Sequence, residues 1–220
     1  VEEGDAVGAG APVLVHRDTP EVMITAPVSG RIRAINRGAQ RRLISIEIAV
    51  DPGAADPVDF AATGDIRTPE GVAERLCASG LWTSFRTRPY SKVPAPDTRP
   101  AAIYVTAMDT EPLAADPAPI IAAQADAFTR GLAAVALLSE GRTYLCHADG
   151  ADVPHGSVPG VETAVFSGPH PAGLAGTHMH FLEPPSATKT VWSIGYQDVI
   201  AIGRLLLDGS LDSSRVIAIT

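Results

Sequence analysis

The sequence is poor in the residues that announce chemistry most directly. Cysteine occurs twice in 220 residues, at Cys77 and Cys146. Two thiols so far apart exclude a disulfide framework and an iron–sulfur cluster held by this chain's cysteines alone, and they fit a reducing, cytoplasmic setting. Positive charge is in deficit: 17 Lys and Arg face 25 Asp and Glu, for a formal net charge of −8. That excludes the basic stripe a nucleic-acid surface requires. No apolar run approaches the roughly 18 residues that span a bilayer. The best stretch, residues 199–207, is short and carries Arg204, so this chain alone offers no route for an ion across a membrane. There is no G-x-S-x-G nucleophile elbow, and no Lys between Val1 and Val50.

What remains is a globular composition, with hydrophobic residues at 45% and charged residues at 19%. It can bury a core and fits one large domain or two small ones. The chain begins at Val1 without a signal-peptide pattern and ends on the apolar, strand-like Ile217-Ala218-Ile219-Thr220 with no turn after it. It therefore reads as a fragment of a longer protein.

Residues 1–50 read as all-β. Gly4, Gly8, Gly10, Pro27, Gly30 and Gly38 punctuate short runs such as Val13-Leu14-Val15 and Val22-Met23-Ile24-Thr25. Leu43-Ile44-Ser45-Ile46-Glu47-Ile48 alternates with period two, so one face is buried. Turns this frequent predict a small barrel-sandwich. Residues 51–100 read as a connector with one helix, started by Thr68-Pro69 and stopped by Gly80, then an ordered aromatic and basic loop over residues 82–100.

From residue 101 the pattern becomes α/β. Residues 101–107 are a continuous apolar strand, residues 117–138 a helix capped by Asp116, and residues 143–146 and 161–166 further strands, giving a right-handed βαβ unit. A Gly/Pro/His loop at 167–176, a strand at 177–182 and a long helix over 191–207 complete the reading.

Several groups invite a chemical role. Gly168 to Gly176 is glycine-rich, yet Leu174-Ala175 stand where a Walker loop needs Lys and Ser or Thr. The first α/β strand leads into Met108-Asp109-Thr110-Glu111-Pro112, without the glycines of a dinucleotide fingerprint. His178 and His180, two apart on the expected strand, share a face, and His170 with Asp109 would complete a metal set. A pair of structural histidines is the alternative. Cys77 and Cys146 have no basic neighbours and read as core. Asp109 and Asp116 flank a loop at a strand's carboxyl end, where open α/β sheets bind ligands, although Asp116 also suits a helix cap.

The most suggestive segment packs three aromatics and three cations into residues 82–92. Trp82, Phe85 and Tyr90 would stack on a flat neutral ring, while Arg86, Arg88 and Lys92 donate to its carbonyl oxygens. A quinone has that shape. An interface strap is the alternative, since Trp, Tyr and Arg are enriched there too.

Two resemblances follow. Val1-Glu2-Glu3-Gly4-Asp5-Ala6-Val7 with Thr25-Ala26-Pro27-Val28-Ser29-Gly30-Arg31-Ile32 is similar to half of a biotinyl/lipoyl-type hammerhead. Its hairpin, His16-Arg17-Asp18-Thr19-Pro20-Glu21, lacks the carrier Lys. Across the whole chain, Ser79-Gly80-Leu81-Trp82-Thr83, Arg86-Thr87-Arg88-Pro89-Tyr90-Ser91-Lys92, Ala107-Met108-Asp109-Thr110, Gly168-Pro169-His170-Pro171-Ala172-Gly173 and Tyr196-Gln197-Asp198-Val199-Ile200-Ala201 resemble the A-subunit family of the sodium-translocating NADH:quinone oxidoreductases.

The resemblance implies a peripheral subunit on the cytoplasmic face of a bacterial inner membrane, linked to ubiquinone and docked on the other subunits of a Na⁺-pumping complex. It implies an α/β domain similar to the flavin-binding subunit of respiratory complex I. No redox cofactor is expected on this chain; NAD, FAD, FMN and Fe–S belong to other subunits. Enzyme activity is expected of the complex and not of this stretch alone. A non-catalytic assembly scaffold and a metalloenzyme built on His170, His178 and His180 are the alternatives. The expected parts are 1–50, 51–100 and 101–220.

Overall fold

The computed structural model describes residues 1–15 and 17–219. The hairpin expected around His16 therefore lies partly outside the described residues. Five strands build the first module: β1 (Ala6–Val7), β2 (Pro12–Val15), β3 (Met23–Thr25), β4 (Gly30–Arg37) and β5 (Leu43–Val50). They form a three-stranded sheet in the order β1-β4-β5 and a β2-β3 pair, all antiparallel. Between the sheets Val7, Ala26 and Ile32 are buried, with Val13, Ile35, Ile46 and Ile48 packed against them. Ile46 and Ile48, two apart on β5, face inward together, while Ile44, at the register irregularity between the Arg37–Leu43 and Asn36–Ser45 pairs, is exposed.

Helix α1 (Pro69–Ser79) forms as its ends predict. Thr68 accepts a hydrogen bond from the Gly71 N–H at 3.1 Å, Pro69 occupies the first turn, and Gly80 takes the left-handed conformation at φ 82° that stops it. Replacing Thr68 by Ala is expected to lower stability by about 1 kcal/mol, read by chemical denaturation.

A 3-10 turn (Leu81–Ser84) leads into strand β6 (Arg86–Arg88). The remaining elements are β7 (Ala102–Ala107), α2 (Pro117–Ala122), α3 (Ala125–Leu137), β8 (Arg142–Ala148), β9 (Val161–Phe166), α4 (Ala175–Phe181), β10 (Val191–Gly195) and α5 (Tyr196–Asp208). The large sheet runs β6-β10-β7-β8-β9, parallel except for β6.

Alternate residues of the central strands face two cores. Ile103, Val105, Leu145, Trp192 and Ile194 meet α1, α3 and α5 on one side. Ala102, Tyr104, Tyr144, Cys146 and Val191 meet Met179 of α4 on the other. The chain leaves β7 toward β8 and returns from β9 to β10 on its far side, so the topological switch point lies between β7 and β10.

The structure corrects four expectations. Of residues 177–182, expected as a strand, 177–181 are helical, within α4, and Leu182 is its cap. Residues 191–195 are a central strand rather than the first turns of the last helix, which starts at Tyr196. A strand buried on both faces is uniformly apolar, so it carries no period of its own and merges with the helix behind it. The helix expected over 117–138 is two, broken at Gln124 with φ −134°, while Ile121 and Phe128 continue the apolar spacing across the break. Residues 217–219 form no strand and are exposed.

The expected connector is also more than a linker. Val72, Leu76, Trp82 and Phe85 belong to the same core as the large sheet, and β6 is one of its strands. The buried Arg75 ties the preceding loop to α1 by donating to the carbonyls of Ala61, Thr63 and Gly64. The two modules are joined through Thr25 Oγ1, which donates to Ser79 O at 2.9 Å, and through Val58 N–H to Ala9 O at 2.8 Å.

Candidate functional site

The aromatic and basic segment is built on β6, at the edge of the large sheet. The chain turns back on that edge and closes it. Thr87 N–H donates to Lys92 O at 2.8 Å, Ser91 N–H to Thr87 O at 2.8 Å, and Lys92 N–H to Thr87 Oγ1 at 3.0 Å. The result is a compact tip over residues 87–92, with Ser91 in the left-handed region at φ 53°.

The six expected contact residues divide into two groups. Trp82 and Phe85 are fully buried. With Trp192 they form a three-ring cluster at centroid separations of 5.4–5.5 Å, and Trp82 Nε1–H donates to Pro94 O at 2.8 Å. Neither ring offers a face to an outside ligand, which corrects that part of the expectation. The physical reason is direction: the 3-10 turn aims both side chains under the sheet edge, whereas composition counts aromatics without saying where they point. Trp192, their third partner, escaped notice because residues 191–195 read as helix.

The other four point outward. Tyr90 is 71% exposed; Arg86 and Lys92 are exposed and Arg88 half-buried. Arg86 folds back onto the carbonyls of Thr83 and Phe85. None of the three cations is drawn into the ion pairs found among the described residues.

At the switch point, β7 opens into Asp109 and Thr110. The glycine-rich loop packs over them: Gly173 N–H donates to Thr110 Oγ1 at 2.9 Å, and Thr110 Oγ1 lies 3.4 Å from His170 Nδ1. A Cβ at Gly173 would sit 2.7 Å from the Thr110 nitrogen, so only glycine fits there. On the β8 side of β7, a cavity of about 200 Å³ is lined by Met108, Asp109, Asp116 and Ala148. Asp116 Oδ1 accepts the Ala118 N–H at 3.0 Å, the capping role expected of it. Burial, and then the charges of Asp109 and Asp116, raise the Tyr196 hydroxyl above its ordinary range. Carboxylates thus line this cavity, and Pro117 removes an N–H from the first turn of α2.

The histidines separate. Two residues apart on helix α4, His178 is buried and His180 exposed, so the shared face disappears. His178 Nε2 carries the proton it gives to Ala172 O at 2.9 Å, and its ring packs on Phe166. His170 Nε2 lies 3.9 Å from Glu111. Among the described residues no group of three or more His, Cys, Asp and Glu is placed to hold a metal ion. Both thiols are buried, and burial, joined for Cys77 by the charge of Glu21, pushes each up to about 12; at neutral pH neither is a nucleophile.

Burial holds the His178 imidazole below its ordinary 6.5, partly offset by the bond to Ala172. The unfolded chain therefore takes up a proton more readily than the folded one. Stability from this group is complete above about 6.5 and declines as pH falls below it. Denaturation midpoints should fall on acidification below that value, and the slope should flatten in His178→Phe.

Comparison with known proteins agrees with both modules. Residues 1–51 match the family described as NqrA N-terminal barrel-sandwich hybrid domain, and residues 67–211 match the NqrA second alpha/beta domain. The whole chain aligns at 52% identity with half of the A-subunit of the Na(+)-translocating NADH-quinone reductase of Serratia proteamaculans. It aligns at 51% with 49% of the corresponding protein of Neisseria meningitidis, and at 48% with 49% of that of Yersinia pseudotuberculosis. The chain thus spans about half the length of the curated relatives it matches, and among the described residues no helix is long and apolar enough to cross a membrane. On these matches, the chain belongs to the NqrA family, the A-subunits of the Na⁺-translocating NADH:quinone reductases.

Proposed function

We propose that this chain supplies the barrel-sandwich and second, α/β, domain of a peripheral, cytoplasm-facing subunit of a Na⁺-pumping NADH:ubiquinone reductase, placed at the quinone end and carrying no redox cofactor of its own. The observation that carries the quinone reading is the tip at residues 87–92 and its approach. It presents an exposed ring, Tyr90, beside Arg86, Arg88 and Lys92, on a protein whose net charge is −8. A neutral ring with two carbonyl oxygens is matched by one stacking face and a set of N–H donors.

The sheet-end crevice supports the cofactor-free part of the reading. Likeness to the flavin-binding subunit of respiratory complex I would place a flavin phosphate near such a crevice. Asp109 and Asp116 would repel it, and the glycine-rich loop packed there commits its Gly173 N–H to Thr110 Oγ1. NAD, flavins and iron–sulfur centres are then the work of other subunits.

The test is kinetic, in the assembled complex. Tyr90→Ala with Arg88→Ala should raise the KM for ubiquinone about tenfold, with NADH oxidation by an artificial acceptor unchanged. The scaffold reading is favoured by one observation, the burial of two of the three expected rings. It requires the same variant to lower the yield of complex while leaving the ubiquinone KM as it was.

A further inference from the structure

A large groove lies away from both regions described above, between α1, the β2-β3 hairpin and residues 95–99. It has a volume of about 900 Å³. Glu70, Ala73, Glu74, Cys77 and Ala78 line it from α1, and their spacing of three and four makes them one stripe of that helix. The small side chains of Ala73, Cys77 and Ala78 leave the space, Met23 and Pro96 extend the apolar wall, and carboxylates stand around it.

The charge there is one-sided. Arg99, a cation in the lining, is held by Glu70 at 2.8 Å. Glu21, Glu74 and Asp97 enter none of the ion pairs found among the described residues. Glu74 also stands one turn from Glu70 on the same helix, a like-charge spacing that costs stability unless a cation lies nearby. Among the described residues no aromatic side chain lines the groove, and one side is open. Small-molecule sites are enclosed and rich in aromatics, so these features fit a segment of protein better than a small ligand.

We infer that this groove receives a lysine-bearing, amphipathic segment of another subunit of the complex, whose apolar side chains fill the space over Ala73 and Ala78 while its ammonium groups meet Glu21, Glu74 and Asp97. The inference rests on the functional reading above. Charge complementarity selects the occupant: a neutral or acidic segment would leave three carboxylates desolvated without partners.

Carboxylate labelling tests it. A water-soluble carbodiimide with glycine ethyl ester is applied to the purified complex and to the isolated full-length subunit, with modification read by mass spectrometry. Labelling of Glu21, Glu74 and Asp97 is expected to fall roughly fivefold or more in the complex as the occupant excludes reagent, while Glu140 and Asp208 remain unchanged. Without glycine ethyl ester, the same carboxylates should form amide cross-links to lysines of a different subunit. Glu21→Gln with Glu74→Gln should remove the cross-links at those two positions.

Equal labelling in the complex and in the isolated subunit overturns the inference. So does protection already complete in the isolated subunit, which makes the occupant part of the same chain. Cross-links to a second copy, or protection without any lysine cross-link, overturn it as well. Absence of the chain from the purified complex defeats the functional reading and this inference together, whereas an unprotected groove in an assembled complex defeats the inference alone.

Discussion

Trp82→Ala is expected to destabilise the chain by about 4 kcal/mol, measured by denaturant titration. Trp82 is fully buried between Phe85 and Trp192, with centroids 5.4 and 5.5 Å away in edge-on contact. Truncation leaves a cavity at the join of α1, the sheet edge and α5, and it removes the donor that satisfies Pro94 O. Dispersion, transfer and the lost hydrogen bond act in the same direction. Tyr90→Ala, a few residues away but exposed, should change stability by less than about 0.5 kcal/mol. Together the two variants separate the anchor of the segment from its tip.

The second large effect is at the crossing of α3 and α5. Gly131 and Gly203 let the two backbones touch: a Cβ at Gly203 would lie 1.7 Å from Ala127 O, and one at Gly131 would lie 2.0 Å from Val199 O. Neither obstacle is the end of a flexible side chain, so the helices must separate to admit a methyl group. Gly203→Ala should therefore cost about 3 kcal/mol despite alanine's better helix propensity. Gly176 in α4 has nothing within 4 Å of a Cβ position, and Gly176→Ala should be neutral or stabilising by about 0.5 kcal/mol. Thermal melts of the two variants and the parent decide the contrast.

Much of the fold was legible in local chemistry. Thr68, Pro69 and Gly80 mark the ends of α1 because caps and stops act within a few residues. The alternation from Leu43 to Ile48 marks β5, and Asp116 marks the start of α2. What escaped was decided by distant partners. Val191 to Gly195 is a strand because β6 and β7 flank it, not because of its own spacing. Residues 177–182 mix polar and apolar types in a way that suits either period, and packing of Met179 onto the sheet favours the helix that runs through Phe181.

The candidate site followed the same division. The composition of residues 82–92 marks a segment that ends in an exposed tip. It did not distinguish Tyr90, which points outward, from Trp82 and Phe85, which anchor the segment in the core. The groove beside α1 left no motif at all: its residues come from three stretches far apart in sequence and meet only through the docking of β2-β3 on α1.

The most direct test of the central claim is titration of a short-tail ubiquinone into the isotope-labelled full-length subunit, followed by NMR shift mapping. Saturable shifts centred on residues 86–92, abolished in Tyr90→Ala with Arg88→Ala, are the expected result. A saturable site elsewhere on the subunit, or no saturable binding at all, would contradict the account.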